Sequence, residues 1–72
     1  MPRKKREIRR DYRSAGFTER HGIGDHMVYV HPLVPKQYAV DGKDGMDALP
    51  HNERNLRDAL HALHESKGRQ DP

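Results

Sequence analysis

Six of the 72 residues are histidines, a high count for a side chain suited to chemistry. One of them, His26, follows the turn Gly22-Ile23-Gly24-Asp25 directly and opens an apolar stretch. An imidazole titrates at about pH 6.5, so it can take a proton from a hydroxyl near neutral pH. A ribose 2′-hydroxyl activated in this way attacks the adjacent phosphorus, and a nucleic-acid strand is cut. The glycine turn lets a backbone approach the ring closely. No second acid or base suggests itself, because Tyr29 falls on the other side of a regular strand from His26. His31 precedes Pro32 and is expected to pack at the strand end. A single histidine leaves protonation of the departing oxygen to water or a basic neighbour, which predicts slow turnover. Charge on the phosphorane would need lysine or arginine, and the concentrated sources are Lys43 and the cluster from Arg3 to Arg10.

A metal site is the competing use of so many histidines. His61 and His64 lie three apart on a helical stretch, and His26 and His31 are separated by four residues. A catalytic zinc needs three convergent ligands, and the chain has neither a cysteine nor an H-E-x-x-H pattern. His61 and His64 therefore read as surface or packing residues. No metal and no cofactor is expected, and activity should survive EDTA.

The elements that must position these groups are drawn from 72 residues, of which 32% are hydrophobic, with Phe17 the only phenylalanine and no tryptophan. Such a core is thin, so stability should be marginal and lean on a partner. A large enclosed pocket is excluded, and the lack of cysteine excludes disulfides and thiol chemistry and fits the cytoplasm. No apolar run approaches the roughly 20 residues of a membrane span. The net charge is +3, and from Arg3 to Arg10 six basic residues (Arg3, Lys4, Lys5, Arg6, Arg9 and Arg10) face one acid, Glu7. That end should attract polyanions.

Ile8, Tyr12 and Ala15 at i, i+4 and i+7 predict a helix over Lys5 to Ala15, stopped by Gly16. A strand over Phe17 to His21 follows, then the glycine turn and the best strand of the chain, His26 to His31. There His26, Val28 and Val30 share one face and Met27, Tyr29 and His31 the other. Leu33 to Lys36 reads as a connection into a short third strand, Gln37 to Val40. Asp41 to Asp47 is a loop, and its Gly42-Lys43-Asp44-Gly45 segment lacks the spacing of a P-loop. Pro50 opens a second helix running to about Ser66, with Leu56, Ala59, Leu60 and Leu63 as its core face and Gly68 as its stop. Ile8, Tyr12, Val28 and Val30 are the expected partners of that face. The chain thus reads as a single α+β domain over 1–72, ordered from about 5 to 66, with frayed tails at 1–4 and 67–72. Its order is α-β-β-β-α, with a three-stranded antiparallel sheet and both helices on one face. This is the topology of double-stranded-RNA-binding domains.

With the strand placed, Gly24-Asp25-His26-Met27-Val28-Tyr29-Val30-His31-Pro32 resembles the G-[S/D/G]-H-x-x-[F/Y]-x-H-P signature of HicA-type toxins. Glu7-Ile8 to Arg13-Ser14-Ala15-Gly16-Phe17 is similar to that family's first helix and its A-G-F or A-G-W step. Asp41-Gly42-Lys43-Asp44-Gly45, Ala48-Leu49-Pro50 and Arg57-Asp58-Ala59-Leu60 resemble the loop and second helix of a subgroup. The matches cover roughly residues 5 to 64, and Asp25, Val30 and Met46 depart from the more usual residues. The resemblance implies a small metal-independent endoribonuclease of dsRBD-like fold that cleaves messenger RNA. It also implies silencing by a HicB-like antitoxin, within a possible higher-order toxin–antitoxin complex. His26 is then the catalytic general base, with Gly24, Asp25 and Tyr29 in support and Lys4, Lys5, Arg6, Arg9 and Lys43 as RNA contacts. Asp25 could orient His26 through a ring N–H or repel phosphate. The antitoxin should bring acidic groups or a plug near His26. Two alternatives share the fold, a non-catalytic RNA-binding module and a degenerate toxin that keeps only partner binding.

Overall fold

The computed structural model describes residues 3–24 and 26–70, the last two by backbone alone. Five elements follow one another: α1 (Lys5–Ser14), β1 (Thr18–His21), β2 (Met27–His31), β3 (Val34–Val40) and α2 (Pro50–Gln70). The strands form one antiparallel sheet in the order β1-β2-β3, with both helices packed on the same face. The α-β-β-β-α fold is the one expected. Among the described residues no helix is long and apolar enough to cross a membrane.

The step out of α1 shows how local sequence sets the fold. Gly16 adopts φ +95°, its N–H donates to the Arg13 carbonyl at 3.0 Å, and the Phe17 N–H donates to the Tyr12 carbonyl at 3.1 Å. This is a Schellman termination, which favours glycine at the left-handed position. Its usual apolar contact is also present: the Tyr12 and Phe17 rings meet edge to face at 5.4 Å. The Ala15-Gly16-Phe17 step therefore turns the chain from α1 into β1.

The sheet buries the opposite side of β2 from the one expected. Tyr29 is fully buried, whereas Val28 and Val30 are only half-covered. Both sides of this strand carry apolar groups, so alternation alone could not choose between them. The aromatic cluster decides it. Tyr29 stacks on Tyr12 with ring centroids 4.6 Å apart and planes 10° from parallel. Tyr38, opposite Tyr29 in register, lies 6.1 Å from Tyr12. Such ring pairs contribute about 0.5–1.5 kcal/mol beyond their buried area. Ile8, Val34, Val40, Leu56, Ala59 and Leu63 complete the core, and Leu60 stays at the rim, 38% exposed.

Three other boundaries differ from expectation. β3 begins at Val34 rather than Gln37, because it is an edge strand with an irregularity between the Tyr29 and His31 pairings, where Pro35 needs no ladder hydrogen bond. α2 continues through Gly68 to Gln70. Inside an exposed helical turn a glycine costs only about 1 kcal/mol. Arg3 and Lys4, expected in a frayed tail, are pinned instead. The Arg3 carbonyl accepts from the Ala48 N–H at 2.7 Å, its guanidinium reaches Asp11 and Glu53, and Lys4 pairs with Asp47 at 2.5 Å.

Candidate active site at the hairpin tip

The β1-β2 hairpin tip presents His26. The Gly22 N–H donates to the His26 carbonyl at 2.8 Å and the His26 N–H donates to the Ile23 carbonyl at 3.2 Å, so the backbone on both sides of the tip is tied. A Cβ at Gly22 would stand 3.3 Å from the His26 Cβ, and glycine there leaves room beside the histidine. His26 itself is exposed. Pairing of His21 with Met27 and of Arg20 with Val28 puts His26 on the open face of the sheet together with Arg20, Val28 and Val30.

On the other flank the ladder pairs Met27 with Val40. Continued by one position, the register sets Asp41 opposite His26. Asp41 is in turn anchored by Lys5, whose ammonium donates to the Asp41 carbonyl at 2.7 Å and lies 3.5 Å from its carboxylate. The charge of Lys5, the Asp41 backbone N–H and, more weakly, His26 hold the Asp41 carboxyl below its usual range. An ionised carboxylate beside an imidazole can orient the ring by accepting from a ring N–H.

The cationic residues divide into two groups. Lys5 and Arg9, expected to contact RNA, are buried, 3% and 6% exposed. Arg9 grips the Asp44 carboxylate, the Gly42 carbonyl at 2.6 Å and the Val40 carbonyl at 3.3 Å. Buried cations persist where partners satisfy them, and both of these bind the segment Val40 to Asp44 to α1. Their place is structural, and neither side chain presents its charge to solvent as the expected RNA contact would require. Lys4 is engaged by Asp47. Arg6 and Lys43 are exposed, and among the described residues neither side chain has an ion pair.

No protein-family model, characterised protein or solved structure matches this chain. Gly24 borders a groove of about 430 Å³ between the hairpin tip and the 41–44 loop. Asp25 lies outside the described residues. Tyr29 does not reach solvent: its hydroxyl donates to the Glu19 carboxylate at 2.5 Å, and burial followed by that hydrogen bond pushes its ionisation up. Its support is packing. His31 accepts the Leu33 N–H at Nδ1 and lies 5.3 Å from the Phe17 ring, a turn-closing role. His61 pairs with Glu65 at 3.1 Å, and among the described residues no three His, Cys, Asp or Glu side chains converge as metal ligands would.

Sequence reading missed Asp41, Arg20, Arg13 and His21 as neighbours of the tip. Asp41 could have been found by pairing the second and third strands from the loop end, which sets it across from His26.

Proposed function

We propose that the chain is a HicA-like endoribonuclease whose general base is His26. The observation that carries this reading is an exposed histidine on a glycine-framed hairpin tip, one position beyond the Met27–Val40 pair and so beside the Asp41 that Lys5 anchors. His26 removes the proton of a ribose 2′-hydroxyl, and the oxygen attacks the neighbouring phosphorus. The 5′-oxygen departs, taking its proton from water or from a nearby cation. The fragments end in a 2′,3′-cyclic phosphate and a 5′-hydroxyl. Asp41 steadies the imidazolium formed in the first step, and Arg20, on the same sheet face, is placed to offset phosphorane charge.

The substrate in this reading is messenger RNA in the cytoplasm, and the reaction needs no metal. A HicB-like antitoxin would silence the protein by covering the open sheet face. The half-covered Val28 and Val30 beside the exposed Ala39 support a protein partner there.

The test is incubation of the protein and its His26→Ala variant with a defined messenger RNA in EDTA. Cleavage by the parent alone supports the reading. Equal cleavage by both, or cleavage abolished by EDTA, overturns it.

A further inference from the structure

Three arginines on α1, Arg6, Arg10 and Arg13, follow one another at i, i+4 and i+7 and so share one helix face. That face is the exposed one, opposite the buried Ile8 and Tyr12. A groove of about 510 Å³ runs beside Arg6, Arg10 and Arg13 and ends at Asp44. The groove at the hairpin tip starts from the same Arg13 and Asp44 and passes Lys43 and His21 to Gly24. The two depressions therefore adjoin, and together they run from the start of α1 to Gly24 at the hairpin tip, on the Glu19, His21 and Met27 side of the sheet, opposite the side that carries His26.

The acids along this path are already engaged. Glu7 accepts from the Lys4 N–H at 2.7 Å, Asp44 is held by Arg9, and Glu19 takes both the Tyr29 hydroxyl and Arg13. The cations are freer. Arg10 stands 3.7 Å from Asp11, beyond hydrogen-bond distance, and Arg6 and Lys43 have no ion pair among the described residues. With five cations (Arg6, Arg9, Arg10, Arg13 and Lys43) against three acids (Glu7, Glu19 and Asp44), the path is net positive.

We propose that a single RNA strand lies in this track, its phosphates on Arg6, Arg10 and Lys43, and rounds the hairpin tip at Gly24 to reach His26 on the open face of the sheet. The proposal rests on the ribonuclease reading above. A single strand fits because the attacking 2′-oxygen must line up with the departing 5′-oxygen, which the fixed geometry of a duplex prevents. Contacts to phosphate give binding without base preference. The track differs from the contacts expected from sequence, since Lys5 and Arg9 are buried and hold the 40–42 backbone instead.

The experiment measures anisotropy of a labelled single-stranded oligouridylate over a salt series, with His26→Ala as the non-cleaving background. Into this background go Arg6→Gln with Arg10→Gln, or Arg54→Gln with Arg57→Gln on α2 as a matched charge control. The track pair should weaken binding about tenfold and lower the salt slope by about 1.4, at about 0.7 per lost contact to a single strand. The control pair should change affinity less than about twofold. Circular dichroism should show all variants folded. Equal losses in both pairs, an unchanged track pair, no oligouridylate binding by the background protein, or tighter binding of a matched duplex each overturns the track. The two proposals separate cleanly. Track-dependent binding without cleavage by the His26 parent leaves the track standing and removes the ribonuclease. Cleavage insensitive to Arg6→Gln with Arg10→Gln does the reverse.

Discussion

The buried ammonium of Lys5, at the start of α1, donates to the carbonyl of Asp41, the exposed residue that leaves β3, across 2.7 Å. One contact thus joins the first helix to the loop that flanks His26. A hydrogen bond from a charged group contributes about 1.5–3 kcal/mol. Lys5→Met should cost about 2 kcal/mol in urea denaturation, and a loss below about 0.5 kcal/mol would show that the contact is not what secures the loop.

Asp41→Asn keeps the shape of that loop but removes the charge beside His26. Single-turnover cleavage should fall about tenfold with KM little changed, since the carboxylate acts on the imidazolium and not on the bound strand. A rise in KM with kcat unchanged would place Asp41 in binding instead.

Glu19 gives a pH dependence. The Tyr29 hydroxyl, and then Arg13, hold its carboxyl below the ordinary range. A depressed native value contributes stability that is present above the unfolded glutamate value of about 4.3 and is lost as pH falls through the native value. Tyr29→Phe should therefore cost about 1.5 kcal/mol at neutral pH, and the gap from the parent should close in acid. A gap independent of pH would contradict the charge-assisted bond.

Tyr12 makes the opposite prediction. Its ring stacks on Tyr29, but its hydroxyl is buried with no hydrogen-bond partner among the described residues. Tyr12→Phe keeps the stack and removes an unsatisfied group. Thermal unfolding should be unchanged or move upward, and a loss of more than about 1 kcal/mol would mean that the hydroxyl is satisfied in solution.

The order of elements was legible because each boundary carries its own chemistry: Gly16 after α1, the glycines of the hairpin tip, Pro50 at the start of α2. The inward side of β2 was not, since Val28 and Val30 alternate as cleanly as Met27 and Tyr29, and only the Tyr12 ring discriminates between them. The burial of Lys5 and Arg9 was not legible for a related reason. Local charge does not disclose that the carbonyls of Val40, Asp41 and Gly42 converge on Lys5 and Arg9 from more than thirty residues away. The prominence of His26 came from its turn, whereas Asp41 became its neighbour only through the register of β2 with β3.

The central claim is that His26 takes the proton of a 2′-hydroxyl. Its most direct test is an RNA with one 2′-deoxynucleotide immediately 5′ of a mapped cleavage site, incubated in EDTA beside the all-ribose strand. The account predicts that the deoxy site stays intact while other sites are cut to 2′,3′-cyclic phosphate and 5′-hydroxyl ends. Cleavage at the deoxy site, or ends bearing a 5′-phosphate, would contradict it.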